Sequence, residues 1–154
     1  MLVRFWGTRG SLPTPMNAAD VRAKLVSALG KANGRSFADE AEIKAFVDGE
    51  LPFETAGAFG GNSSCVEIEP GGDEHIICDM GSGLRAMGQE IMKKHGPGNP
   101  QTYNIFMSHP HWDHIMGLPF FPPAYIPGNK LRIHACHEVM EKALRIQQSA
   151  PCFP

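Results

Sequence analysis

The sequence predicts an α/β fold, and two observations carry that expectation. From Asp79 to Ala135, short runs rich in β-branched and aromatic residues alternate with stretches of helical periodicity, the rhythm that joins parallel strands through helical crossovers. The chain has 154 residues, 42% hydrophobic and 19% charged, which is enough apolar material for one packed domain and too little charge for a disordered one.

The runs LVRFW (2–6), SCVEIE (64–69), HIICDM (75–80), YNIFMS (103–108) and KLRIHA (130–135) read as strands from their β-branched and aromatic content. Pro70, Gly71, Gly72 and Asp73 are turn formers between two of them and predict a hairpin. Leu84, Met87, Gly88, Ile91 and His95 recur every three or four residues and predict a helix that stops at the breaker GPGNP. Val139, Met140, Ala143, Leu144 and Gln147 predict another near the end. Segment 15–57 differs in character. Val21, Leu25, Ala28 and Leu29 form one helical stripe and Ile43, Phe46 and Val47 a second, with Ser36 and Asp39 placed as a capping box. It reads as a helical insertion into a single domain spanning 1–154, open to a role as a lid or as a dimer contact.

Net charge is −2 and the pI about 6.4, so the chain lacks the blanket attraction for phosphate of a basic nucleic-acid binder. The start, MLVRFWGTRGSLPTP, has no long apolar stretch, and no run approaches the roughly 18 apolar residues of a membrane span. The expectation is a soluble, cytoplasmic protein. Cys65, Cys78, Cys136 and Cys152 form no C-x-x-C pair. Cys65 and Cys78, inside apolar runs, read as core residues. Cys136 lies between His134 and His137, but strand alternation would turn neighbouring side chains to opposite faces, which argues against a metal cluster there.

Chemistry concentrates in SHPHWDH, where His109, His111, Asp113 and His114 follow an apolar strand directly. The carboxyl end of a strand is where ligands bind in open α/β sheets. His109 and His111 are two apart in an extended segment and point the same way, and Pro110 favours that backbone. Asp113 and His114 are adjacent and need a tight bend to reach the same region. Two neighbouring metals, each given part of its ligand set by this loop, are the expected result, with zinc preferred and manganese or iron tolerated.

The motif matches H-x-H-x-D-H, and with it the chain resembles the metallo-β-lactamase superfamily. FWGTRGSLPTP (5–15), GGNSSCVEI (60–68), CDMGSGLR (78–85) and GLPFF (117–121) follow in an order similar to its phosphodiesterase, ribonuclease Z-like branch. That resemblance implies an αβ/βα sandwich with a mixed β-sheet and flanking helices. It also implies two Zn2+ per complete site, His109 and His111 on one and Asp113 and His114 on the other. The implied reaction is attack of a metal-bound hydroxide on a phosphodiester of a small molecule or an RNA end, with Asp113 holding a proton. Asp79 would orient a ligand imidazole. Gly81 and Gly83 would permit a tight strand-to-helix turn. Gly7, Gly10, Asn62 and Ser63 would border the site, the last two hydrogen-bonding the metal loop or a substrate phosphate, or simply forming a turn.

The superfamily completes its metal sites with a later histidine, an aspartate and a final histidine. After His114 this chain offers His134, His137, Glu138 and Glu141, and no aspartate. The resemblance places His134 on a strand, and His137 and Glu138 at a helix start. The expectation is therefore an N-terminal portion of a longer hydrolase, about half a sandwich, weakly active alone and capable of pairing with itself. Hydrolysis of carbonyl esters, lactones or thioesters, or a non-catalytic metal-binding sensory or scaffold role, are the alternatives.

Overall fold

In the computed structural model, which describes every residue except Gly72, Asp73, Cys152 and Pro154, eleven helices and strands follow one another. They are β1 (Leu2–Gly7), α1 (Ala18–Ala32), α2 (Glu40–Gly49), α3 (Phe53–Ala56), β2 (Cys65–Glu69), β3 (Glu74–Cys78), α4 (Gly83–His95), β4 (Thr102–Met107), α5 (Trp112–Ile115), β5 (Lys130–Ala135) and α6 (Met140–Gln147). Two single 3-10 turns, Leu118–Phe120 and Pro122–Tyr125, precede β5. The chain divides into two compact units, Met1–Thr14 with Gly60–Pro154, and Pro15–Phe59.

The first unit is a mixed α/β structure with a five-stranded sheet in the order β1-β2-β3-β4-β5. β1, β2 and β3 pair antiparallel, and β3, β4 and β5 pair parallel. Every run predicted as a strand forms one. β3 stops at Cys78, two residues early, because Asp79 takes φ 63°, a left-handed conformation that no strand accommodates. β2 and β3 pair as the predicted hairpin would, with Val66 opposite Cys78 and Ile68 opposite Ile76. Gly72 and Asp73 of its turn, and Cys152, lie outside the described residues.

Parallel register aligns Ile77, Ile105 and Ile133 across β3, β4 and β5 on one face. That face carries the core, with Ile77, Tyr103, Ile105 and Met107 beneath Leu84, Met87 and Ile91 of α4 and Met140 of α6. Each fully buried side chain of this size contributes roughly 1.5–3 kcal/mol. α4 follows its predicted stripe and ends where Gly96 takes φ 67°, the left-handed cap that stops a helix. The opposite face is apolar too, but Phe5 and Phe106 on it are exposed, and Phe106 stacks on His134 at 4.5 Å. Val139, predicted to lie on the last helix face, instead precedes α6 and is exposed. His137 and Glu138 likewise lie in a turn ahead of α6 and do not begin it. Cys65 is fully buried and Cys78 half-buried, and burial pushes both thiols up. Cys136 is exposed.

In the second unit, Asn17 and Asp20 form a reciprocal capping box that starts α1. α2 starts at Asp39, whose carboxylate accepts the Glu42 N–H, while Glu42 accepts the Ala38 N–H. Ser36, predicted as a partner in that cap, plays no part in it, because Asp39 itself occupies the capping position. Phe46 is buried against Phe37 and under the Arg35 guanidinium, which pairs with both oxygens of Glu50. The α1 stripe, by contrast, buries nothing. No helix among the described residues is long and apolar enough to cross a membrane.

Candidate metal centre

Three parallel strands bring their carboxyl ends to one edge of the sheet. Asp79 follows β3, Ser108 and His109 follow β4, and Cys136 and His137 follow β5. His137 Nε2 lies 3.1 Å from the Ser108 carbonyl oxygen, so all three ends meet.

The bend that Asp113 and His114 require is α5, a single helical turn. His111 precedes it in extended backbone, φ −64° and ψ 154°, which keeps His109 and His111 in line, and the turn then brings the next two residues round. Asp113 and Ile115 point inward and are buried, while Trp112 is exposed. The rings of His109 and His111 are 4.5 Å apart, and those of His109 and His114 4.1 Å apart. His114 Nε2 lies 3.3 Å from Asp113 Oδ2.

Asp79 is the hub beneath this loop. Its carboxylate accepts the Ser108 N–H at 2.8 Å, the Ser108 hydroxyl at 2.9 Å, the Ser64 hydroxyl at 3.1 Å and His114 Nδ1 at 2.8 Å. Burial alone would push the Asp79 carboxyl up, but these donors and the adjacent His114 hold it below its ordinary value. An ionised carboxylate only accepts, so His114 Nδ1 carries the proton and Nε2 is left as the ligating nitrogen. The Ser108 hydroxyl spends its one proton on Asp79 and so accepts from His109 Nδ1, 3.0 Å away, which frees Nε2 of His109 as well.

The loop is held mainly through backbone. Met80 N–H donates to the His114 carbonyl and Gly117 N–H to the Met80 carbonyl, both at 2.8 Å. The Ser63 hydroxyl donates to the Asp113 carbonyl at 2.7 Å, and Ser11 N–H donates to Asp113 Oδ2 at 2.9 Å. Asn62 accepts the Thr8 and Arg9 N–H groups on its carbonyl and the Ser82 hydroxyl on its side chain. Ser63, fully buried, therefore braces the metal loop and is closed to a substrate phosphate, while Asn62 is engaged in bracing the neighbouring loops. The expectation for Gly81 and Gly83 is corrected in its reason. Neither has positive φ, and it is Asp79 that makes the sharp turn. A Cβ on Gly81 would stand 2.6 Å from the Asp113 carbonyl oxygen, and one on Gly117 would stand 2.1 Å from that of Gly81, so close packing of main chains demands these glycines.

Sequence reasoning missed Ser108 and Ser11, and it weighed His137 only as a metal ligand, not as the donor that ties β5 to the Ser108 carbonyl. Ser108 had one signal, its place between the last strand residue and the first histidine. Ser11 acts through backbone, with φ 60°, and carried none. His134 faces away and stacks on Phe106. An open cavity of about 890 Å³ between β5 and α6 is lined by Ile133, His137, Glu138, Met140, Glu141 and Leu144.

The donor set fits a divalent ion. A bare imidazole nitrogen and a carboxylate oxygen 3.3 Å apart repel each other unless a proton or a cation lies between them, as at His114 and Asp113. Among the described residues, no three His, Cys, Asp or Glu side chains stand as ligands of one ion.

The mixed sheet gathers imidazoles and carboxylates at its strand ends, an arrangement consistent with the metal-dependent hydrolase fold of the superfamily whose family model matches the chain. The family model described as the metallo-beta-lactamase superfamily matches residues 57–150, more than half of the chain, and the chain belongs to that superfamily. Comparison with curated proteins and with solved structures gave no match.

Proposed function

We propose that this chain supplies half of a two-metal phosphodiesterase centre in the cytoplasm, His109 and His111 on one ion and Asp113 and His114 on the other. Zinc is the preferred metal, with manganese or iron tolerated by the same donors. The observation that carries the reading is convergence. The segments at 5–15, 60–68, 78–85 and 117–121, which resemble the phosphodiesterase branch in their order, all hydrogen-bond to the loop or to one another through Ser11, Ser63, Met80 and Gly117.

Bound there, divalent ions would offset the charge that grows on the phosphoryl oxygens of a small diester or an RNA end. The chain's own residues do the rest. Asp79 and Ser108 fix the tautomers and directions of His114 and His109 before a substrate arrives, which limits reorganisation during the reaction. Asp113, oriented by the Ser11 N–H, holds the proton that the attacking water gives up. The cavity beside His137 offers apolar surface and charged rims for the organic part of the diester. His134, His137, Glu138 and Glu141 do not join the loop's donors, so the 154 residues alone are expected to turn over weakly.

The test uses the full natural protein loaded with Zn2+ or Mn2+ and assayed against bis(4-nitrophenyl) phosphate, an aryl lactone and a thioester. Diester cleavage lost in His109→Ala and Asp113→Ala is the expected result. Lactone or thioester cleavage with no diester turnover would move the protein to carbonyl esters, and metal binding without any turnover would make it a sensory or scaffold domain.

A further inference from the structure

Helix α6 carries a glutamine where its own pattern calls for an apolar residue. Met140, Ala143, Leu144 and Gln147 recur at the spacing of one helix face, and Met140 and Gln147 are buried. Gln147 is only 5% exposed. Its Nε2 donates to the Ile115 carbonyl at 2.8 Å, while its Oε1 is buried with no hydrogen-bond partner among the described residues. An orphaned amide oxygen in a core is costly, and a methionine of similar length would avoid it. The donor end of the side chain is what a methionine could not replace.

Ile115 closes α5, the turn that carries Asp113 and His114. In a single helical turn the carbonyls have almost no partners inside the helix. That of Trp112 accepts the Met116 N–H, and the other three are served by distant residues: Asp113 by the Ser63 hydroxyl, His114 by the Met80 N–H and Ile115 by Gln147. Met80 also accepts the Gly117 N–H, so it grips the chain on both sides of Ile115 but leaves the Ile115 carbonyl to Gln147. Without that amide, the peptide that leaves Ile115 is free to turn in search of a donor, and the end of the turn moves with it. We propose, on the reading of this loop as a metal centre, that Gln147 is a positioning residue which acts through the Ile115 carbonyl to hold the directions of Asp113 and His114.

The test is Gln147→Met in the full natural protein, with two measurements. Urea unfolding of the metal-free form reports stability. Removal of the orphaned oxygen and loss of the bond to Ile115 act in opposite directions, so the midpoint should move little. Zinc affinity from indicator competition should weaken about tenfold or more, the loss that follows when an outer partner of a metal ligand is removed. Ile146→Met, one residue earlier and 60% exposed, should change neither. Should Gln147→Met fail to fold, the wild type supplies the measurement. Coupling between two equilibria is reciprocal, so zinc must slow hydrogen exchange of the Gln147 side-chain amide. Exchange that zinc leaves unchanged would overturn the proposal, as would zinc affinity equal to wild type in Gln147→Met while His114→Ala loses zinc; both leave the metal loop standing. An affinity loss no larger than the stability loss predicts would make Gln147 a residue of the fold alone and overturn it too. Zinc binding that His114→Ala does not weaken would overturn the reading of the loop, and the proposal with it.

Discussion

Asp79→Asn removes one carboxylate oxygen and its charge while keeping the side chain's shape. The replacement also keeps the backbone, since asparagine, like aspartate, is among the few non-glycine residues that adopt left-handed φ. Four donor hydrogens converge on the carboxylate, from the Ser108 amide, the Ser108 hydroxyl, the Ser64 hydroxyl and His114 Nδ1. An amide oxygen can serve two of them, and the new NH2 group then faces the others donor to donor. Two hydrogen bonds to a charged group, each contributing about 1.5–3 kcal/mol, are lost, and rotation of the one hydroxyl on that side toward the NH2 recovers about 1 kcal/mol. The net loss is about 2–5 kcal/mol of stability in metal-free protein. Urea unfolding at pH 7 with a chelator present measures it through tryptophan fluorescence, because Trp6 and Trp112 both belong to the sheet unit. Competition against a zinc indicator gives a second readout, expected to weaken about 10–100-fold as the orientation of His114 relaxes. A stability change under about 0.5 kcal/mol together with unchanged zinc affinity would show that Asp79 does not hold the loop.

Two further outcomes rest on other features. Gly117→Ala places a methyl against the Gly81 carbonyl, backbone against backbone, and should cost about 3 kcal/mol or leave the protein insoluble, as thermal unfolding and expression yield would show. Glu67 is buried, which pushes its carboxyl up, yet His75 and the Trp6 N–H at 2.9 Å, with Arg4 nearby, hold it below its ordinary value. A depressed folded value means that its contribution to stability is present above the ordinary glutamate range near about pH 4.3 and is lost as pH falls through the folded value. Melting temperatures of Glu67→Gln should therefore fall less steeply than those of wild type below that pH, and parallel curves would contradict the assignment.

β2, β3, β4 and α4 were readable because each buries one face, which residue types record directly, while β1 and β5, largely exposed, were readable from their β-branched and aromatic content alone. The metal loop was readable for a different reason, since the same six residues that carry the chemistry also follow a buried strand. What escaped notice lies where the main chain does the work. α5 is too short to show a period, Ser11 acts through its N–H, and the glycines at 81 and 117 answer to neighbours distant in sequence. The α1 stripe was visible as a stripe, but periodicity says only that a face is apolar, and nothing in the letters tells whether its own unit buries it.

The packing of Gly81 against Gly117 also bears on how this loop should be mapped. Alanine scanning works by subtraction, and here little can be subtracted, because carbonyl and amide groups form much of the clamp on Asp113 and His114. A scan that adds a methyl at small residues would trace its outline instead. For the same reason, side chains around the rim are open to redesign for new substrates without moving the donors, provided that nothing is added along the seam where main chain meets main chain.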